Sequence, residues 1–283
     1  MDRRALLLSQ IDLQTAVGAE IGPQDRPLVK KGEGRIFYVD HCDTDELRRR
    51  FADHATVDVS QLQVDAVWGK DTLRQALLRA AGLPADDATS FVDYVLASHV
   101  IEHVPDLIGW LREVRETLYT SIDTRGVLRL AVPDKRYCFD YLRNTSNLVD
   151  VLEAYALRRR RPSARCIIDW SLHMVEVDIR KAWRGDLDPD SMPRLNTLDG
   201  SLNLARDAEF NGTYHDVHCW VFTPASFADL CVSLSVHGLL EFECEWLVDS
   251  PRDTFEFYVS MRPCADPEAI LASWKRARSM LPQ

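Results

Sequence analysis

The densest group of chemically active side chains lies in the segment Ser98-His99-Val100-Ile101-Glu102-His103. His99, Glu102 and His103 spell H-x-x-E-H, a spacing that zinc proteases use when both histidines share one helix face. Here the run follows a strand-like segment and Pro105 interrupts it, so the helix that such a site needs is not expected. We therefore expect no metal here. An ordinary loop at a strand end, without a functional role, remains an alternative to a functional site.

A second group is Tyr214-His215-Asp216-Val217-His218. Imidazole and carboxylate groups at this spacing can exchange a proton or contribute ligands to a metal ion. The neighbouring sequence offers no third partner, so no metal is expected at this segment either.

A third group consists of Gly22, at the end of an apolar run, and Asp40, at the end of the next strand-like run. Their separation is close to the roughly 20 residues typical of nucleoside-binding folds. A glycine lets the backbone approach a ligand, and an acid there can accept both ribose hydroxyls. Because the G-x-G-x-x-G run for a pyrophosphate is missing, the pattern favours a nucleoside over NAD, and an ordinary strand–turn remains the alternative.

The elements that could position these groups alternate between strands and helices. The patterns predict strands at 35–40, 57–64, 91–98 and 126–132, and helices at 44–51 (with Thr44 as N-cap), 70–81 and 106–117. This alternation is typical of βαβ units in a doubly wound α/β sheet.

The alternation stops between residues 141 and 221, where the sequence predicts a mostly helical insertion acting as a lid. Afterwards we expect a helix at 224–237, an antiparallel hairpin of strands 239–247 and 254–261, and a terminal helix at 266–280. The chain 1–283 is thus predicted to be one domain. The run Arg158 to Pro162 inside the insertion either holds a phosphate or forms a solvated helix end.

Composition narrows the classes of protein. The 283 residues are 46% hydrophobic and carry a net charge of -10, which excludes wholesale disorder and makes nucleic acid a poor partner. Seven scattered cysteines without a CxxC pair indicate a reducing, cytoplasmic setting. We expect no membrane partner, because no stretch approaches the roughly 18 apolar residues of a span, and interpret the start as a first helix rather than a signal peptide.

Several of these segments together resemble a known family. The run FVDYVLASHVIEHVPD, preceded by EIG and YVD and followed by GVLRLAVPDKRY and HCWVFTPASFADL, resembles class I S-adenosylmethionine-dependent methyltransferases, and most closely the bacterial small-molecule group called type 11 or type 23. The resemblance covers roughly residues 14–140 and 214–262 and implies a Rossmann-like, mostly parallel sheet with a C-terminal antiparallel hairpin. The helical insertion predicted after strand five lies largely outside it. The resemblance also implies S-adenosylmethionine as the cofactor.

The resemblance assigns roles by position. Glu20 and Gly22 match the methionine-contacting motif, Asp40 the ribose-binding acid, the pair Asp65-Ala66 the adenine site, and Ser98 and His99 the strand end under the methionine. The residues implied to bind the cofactor are Glu20, Gly22, Pro23, Asp40, His41, Asp65, Ala66, Ser98 and His99.

Methyl transfer to oxygen or nitrogen would require a proton acceptor, and an imidazole suits that role. His103 is the first candidate for the base, with His99, Tyr214 and His218 as further catalytic or positioning residues. The expected acceptor is a small molecule or a glycan precursor. Other uses of the sulfonium (such as cyclisation), a non-catalytic nucleoside-binding module and, third, a zinc hydrolase stay open, as does the oligomeric state, a homodimer included.

Overall fold

The computed structural model describes residues 2–69, 71–84, 87, 92–120 and 126–282. Its centre is a seven-stranded sheet with the strand order β3-β2-β1-β4-β5-β7-β6. The strands are β1 Val17–Ile21, β2 Arg35–Asp40, β3 Ala66–Val67, β4 Tyr94–Ser98, β5 Val127–Pro133, β6 Phe242–Val248 and β7 Glu256–Pro263. The first five pair in parallel, whereas β7 is antiparallel to both β5 and β6. This confirms the predicted Rossmann-like, mostly parallel sheet with its C-terminal antiparallel hairpin.

Ten α-helices are found in the described part of the chain. They are α1 Arg3–Leu7, α2 Thr44–Arg50, α3 Leu73–Ala80, α4 Leu107–Thr117, α5 Leu148–Ala156, α6 Ala164–His173, α7 Ile179–Arg184, α8 Leu198–Arg206, α9 Pro224–Val236 and α10 Pro267–Ser279. The predicted N-cap of α2 was one residue late, because the side chain of Asp43, not Thr44, accepts the hydrogen bond from the Glu46 N–H. None of the helices described is long and apolar enough to span a bilayer.

The predicted strand at 57–64 is wrong. Asp58 accepts a hydrogen bond from the Ser60 N–H and begins a short 3₁₀ turn at Val59–Gln61, and the Val64 N–H is bonded to the Thr44 hydroxyl. These local bonds remove the segment from the sheet, and the strand forms afterwards with only two residues. Asp65 consequently precedes β3. The strand predicted at 91–98 begins at Tyr94, and its first residue, 91, lies outside the described residues.

Two apolar layers cover the two faces of the sheet. The larger packs α3, α4, α9 and α10 against it, with Trp110, Phe227 and Trp274 among its buried side chains. The smaller contains Tyr38 and Tyr94. Burial on both faces explains why β4 and β5 are almost continuously apolar in sequence.

The insertion contains α5 to α8 and a small apolar cluster of its own, made of Ile167, Ala205 and Val217. The insertion is also hydrogen-bonded to the loop that follows β4. The backbone N–H groups of Cys219 and Trp220 both donate to the carbonyl oxygen of Glu102, at 2.6 and 3.1 Å. The end of the insertion is therefore fixed directly beside the H-x-x-E-H segment.

Candidate functional site

A cavity of about 550 Å³ opens at the carboxyl ends of β1, β2 and β4. Its wall includes Gly22, Asp40, His41, His99 and His103. Ligands of open α/β sheets bind in this crevice, because the strand ends and the loops after them leave backbone groups and side chains free to converge there. The cavity volume lies within the range of roughly 300–1,000 Å³ that small-molecule sites occupy.

The turn after β1 brings backbone close to this cavity. Gly22 has φ +62°, a left-handed conformation that favours glycine, and an added Cβ would meet the Val100 side chain at 3.3 Å. Gln24, with φ +49°, also lines the cavity. The wall includes Gly22 as predicted but does not include Pro23.

Asp40 ends β2 at the cavity wall and is 8% exposed. Its Oδ1 accepts a hydrogen bond from the His41 N–H at 2.7 Å and lies 2.6 Å from His41 Nδ1. His41 Nε2 lies 2.6 Å from an Arg50 guanidinium nitrogen, and its ring stacks on Tyr214 at 6.2 Å. Asp40, His41 and Tyr214 thus come together on one wall, although Tyr214 is remote from the other two in sequence.

Glu20 does not line the cavity, contrary to its assigned role. Its carboxylate accepts hydrogen bonds from the N–H groups of Leu28 and Val29, at 2.8 and 3.2 Å, and the residue is 2% exposed. Burial raises the pKa of this carboxyl to about 7, against the lowering effect of the two backbone bonds. Glu20 therefore holds the loop after β1 in place.

Asp65 and Ala66, the predicted adenine site, do not line the cavity either. Asp65 precedes β3, where its Oδ2 accepts a hydrogen bond from the Tyr38 N–H at 2.7 Å and lies 2.5 Å from Lys31 Nζ. The residues that line the cavity after β3 are Trp68 and Gly69. Trp68 Nε1 donates to a Glu113 carboxylate oxygen at 2.9 Å, which fixes the indole at the wall.

His99, directly after β4, has φ +54° and lines the cavity, while the Ser98 hydroxyl is buried without a hydrogen-bond partner in the described structure. His99 Nε2 lies 2.8 Å from Glu256 Oε2, and Nδ1 lies 3.6 Å from Glu102 Oε1. Burial acts to lower the pKa of this imidazole, but the facing carboxylates of Glu102 and Glu256 outweigh it and raise the pKa to about 9.

Glu102, the central residue of this region, was not among the predicted site residues. It is fully buried, and neither carboxylate oxygen has a hydrogen-bond partner among the described residues. His103 Nε2 lies 3.9 Å and His218 Nε2 lies 4.0 Å from its Oε1. The rings of His103 and His218 meet edge to face with centroids 4.6 Å apart. The local sequence spacing places Glu102 and His103 near each other. His218 joins them only through the long-range contact made by the insertion.

The outer nitrogens of the two imidazoles also face carboxylates. His103 Nδ1 lies 2.8 Å from Asp216 Oδ1, and His218 Nδ1 lies 2.5 Å from Asp140 Oδ2. Burial acts to lower the pKa of His103, but the facing carboxylates of Asp216 and Glu102 raise it. Neither imidazole of the pair has a nitrogen free of a facing carboxylate.

A second cavity of about 510 Å³ lies between the end of β5 and the insertion. Tyr137, Phe139, His218 and Phe255 are among its lining side chains, and His99 lines both cavities. The two cavities therefore adjoin at His99. No sequence pattern predicted the second cavity or its junction with the first.

The arginine run of the insertion lies at the first cavity. Arg158, Arg159 and Arg160 follow α5 and line the wall, with Arg158 at φ +46° and Arg159 paired with Glu153 at 2.7 Å. Arg158 and Arg160 are exposed to solvent while lining the cavity, so this position is compatible with both interpretations made from sequence, a phosphate-binding site and a solvated helix end.

No protein-family model and no curated protein matches this chain. Similar solved structures include a Rhodobacter sphaeroides protein described as a provisionally assigned Zn-dependent alcohol dehydrogenase, at 16% identity and a TM-score of 0.44, with 94% of this chain and 91% of that one covered. Another is an S-adenosylmethionine-dependent methyltransferase from Mesorhizobium loti, at 15% identity and a TM-score of 0.34, with 91% and 95% covered.

A third similar structure is the magnesium protoporphyrin IX methyltransferase of Synechocystis with bound S-adenosylmethionine, at 10% identity and a TM-score of 0.34, with 92% of this chain and 76% of that one covered. All three TM-scores lie below 0.5. The fold of this chain is therefore assigned from its own strand order and strand directions.

Proposed function

We propose that this protein is an S-adenosylmethionine-dependent methyltransferase that binds its methyl donor in the first cavity. The observation that carries the proposal is the meeting of Gly22 and Asp40 at one cavity wall in a sheet of this strand order. The donor would be held by its nucleoside and amino acid parts, because no glycine-rich phosphate cradle follows β1.

The residues present suit an adenosyl ligand. The Asp40 carboxylate is positioned to accept hydrogen bonds from ribose hydroxyls, Gly22 offers close approach of backbone, and the indole of Trp68 gives an aromatic surface beside them. When bound, S-adenosylmethionine supplies an electrophilic methyl group, whose transfer leaves a neutral thioether and releases one proton from a hydroxyl or ammonium acceptor.

We place the acceptor in the second cavity, which adjoins the first at His99. Its largely aromatic and aliphatic lining suits a small organic molecule. The acceptor we propose is a small molecule or a glycan precursor, methylated at oxygen or nitrogen.

Loss of the acceptor proton depends on the group formed by Glu102, His103 and His218 rather than on His103 alone. Both ring nitrogens of His103 already face carboxylates, at 2.8 and 3.9 Å, so the imidazole does not present a free nitrogen to the cavity. Replacing His103 should nevertheless slow turnover far more than it weakens donor binding, because the residue lies beside the reaction space without being needed to hold the nucleoside.

Calorimetry with S-adenosylhomocysteine tests the donor site. Asp40→Ala should weaken binding by about 1–3 kcal/mol, roughly 5- to 150-fold, since it leaves ribose hydroxyls without their acceptor. Asp53→Ala, at an exposed position, is the matched control and should bind like the unchanged protein.

Equal affinity of Asp40→Ala and the control would refute the ribose assignment, and preferential binding of NAD would refute the donor class. Product analysis then separates the alternatives. Methyl transfer leaves S-adenosylhomocysteine, a cyclisation leaves methylthioadenosine, and a binding module leaves neither.

A further inference from the structure

Three potential metal-ligand atoms converge in the interior of the protein. A carboxylate oxygen of Glu102 and one ring nitrogen each of His103 and His218 all lie within 4.8 Å of one another. The separations from Glu102 Oε1 are 3.9 Å to His103 Nε2 and 4.0 Å to His218 Nε2. Donors that share a tetrahedral zinc ion at about 2.0–2.1 Å lie roughly 3.4 Å apart, so each of the two Glu102–histidine separations needs to shorten by about half an ångström.

The two imidazoles are held in the orientation that metal-binding histidines adopt. Each directs Nε2 to Glu102 and has its Nδ1 against another carboxylate, Asp216 for His103 and Asp140 for His218. Ligating histidines almost always pair their outer nitrogen with a carboxylate, carbonyl or water, because this fixes the tautomer and increases the basicity of the ligand. Asp140 is itself held by Arg143 at 2.8 Å.

The central carboxylate lacks the hydrogen bonds that a buried charge needs. Glu102 is fully buried, and both of its oxygens are without a hydrogen-bond partner in the described parts of the chain. Burying a carboxylate in this state is costly unless the charge is paired or coordinates a metal. The imidazole of His99, with Nδ1 3.6 Å from Oε1, also faces the carboxylate, but at more than hydrogen-bond distance. The backbone at Glu102 is fixed by the N–H groups of Cys219 and Trp220, so the side chain is held beside His218.

We infer that Glu102, His103 and His218 bind one divalent transition-metal ion of the zinc type. Two neutral imidazoles and one carboxylate form a known catalytic zinc ligand set, which leaves a coordination position for water or substrate. The ion lies beside both cavities, since His103 lines the first and His218 the second. Its use rests on the proposed function: the ion would lower the pKa of an acceptor hydroxyl bound to it, the proton would pass to solvent water, and His103 would be a ligand and not the base.

Titration of the metal-depleted protein with Zn²⁺, followed by calorimetry, tests the site. One ion should bind per chain, and His218→Ala should weaken binding at least 100-fold. Asp140→Asn, which removes the negative charge that faces the outer nitrogen of His218 and also pairs with Arg143, should weaken it by about 10- to 100-fold. His237→Ala, at an exposed position directly after α9, is the control and should bind like the unchanged protein. Absence of stoichiometric binding, or undiminished binding by His218→Ala, would overturn the assignment.

A measurement on the unchanged sequence decides the question if the variants do not fold. Addition of Co²⁺ should shift or broaden the imidazole proton resonances of His103 and His218 and leave those of the exposed His54 and His237 as they were. Equal effects on all four histidines, or none, would contradict the site.

Binding of S-adenosylhomocysteine is measured on the same samples. Donor binding without metal binding refutes the metal site alone, whereas metal binding without donor binding refutes the proposed function alone.

Discussion

Glu20 shows how burial changes what a single carboxyl group does. Its folded-state pKa is about 7, above the ordinary value of 4.5, because burial penalises the charged form. Between these two values the unfolded chain releases the proton while the folded chain keeps it. Glu20 therefore lowers stability progressively as the pH rises from about 4.5 to 7. The difference amounts to about 3 kcal/mol at 1.36 kcal/mol per pKa unit.

Glu20→Gln should remove this dependence, because an amide does not titrate. In urea unfolding, the stability of the unchanged protein relative to Glu20→Gln should fall by about 3 kcal/mol between pH 4.5 and pH 8. The comparison isolates Glu20 from other titrating groups that both proteins share. A stability difference that stays constant over this range would show that burial does not raise the pKa of this carboxyl.

The same residue marks the limit of prediction at this scale. Gly22 and Asp40 could be placed at the cavity from sequence, because the carboxyl ends of adjacent parallel strands meet at one edge of the sheet. The direction of the Glu20 side chain could not be predicted, since it depends on hydrogen bonds from the backbone N–H groups of Leu28 and Val29. Glu102 was recognised within the H-x-x-E-H spacing but was assigned no role, because its role depends on contact with His218, which no local spacing encodes.

At the scale of elements, the pairing of β1 and β4 depends on one missing side chain. Gly18 lies opposite Tyr94 in the register, and an added Cβ would fall 2.0 Å from Tyr94 Cζ. Gly18→Ala should therefore destabilise the protein by about 1–3 kcal/mol through overpacking.

A double-mutant cycle identifies the cause. In a Tyr94→Leu background the ring atoms that collide with the new Cβ are gone, so Gly18→Ala should cost at least about 1 kcal/mol less than it does alone. The free energies come from urea unfolding of the four proteins. Additive costs, equal within about 0.5 kcal/mol, would mean that the ring is not what requires a glycine.

Elements with strong local signals were predicted well, and those set by distant contacts were not. The helix predicted at 106–117 forms as α4 because Asp106 caps it and its apolar residues recur on one face. The third strand was misplaced because β3 has only two residues and owes its existence to pairing with β2. The helical character of the insertion followed from its sequence, but the cavity between it and β5 did not.

At the scale of the whole molecule, the insertion creates a second space beside the usual crevice of the fold. The two cavities adjoin at His99, and each has aromatic residues of its own: Trp68 lines the first and Phe255 the second. A transferase that must hold two reactants next to each other and away from water requires such an arrangement. Hydrogen bonds to the backbone carbonyl of Glu102 attach the end of the insertion to the loop after β4. This loop lies beside both cavities and therefore fixes them relative to each other.

This division predicts separate effects of two aromatic truncations. Trp68→Ala should weaken S-adenosylhomocysteine binding roughly 10-fold, about 1.4 kcal/mol, because the aromatic wall of the donor cavity is lost. Phe255→Ala should leave that affinity within about twofold, since Phe255 lines only the second cavity, and it should instead change the acceptor concentration needed for half-maximal turnover. Circular dichroism confirms that both variants are folded before affinities are compared by calorimetry. If Phe255→Ala loosened the donor as much as Trp68→Ala does, donor and acceptor would share one space, and the placement of the acceptor against the insertion would have to be abandoned.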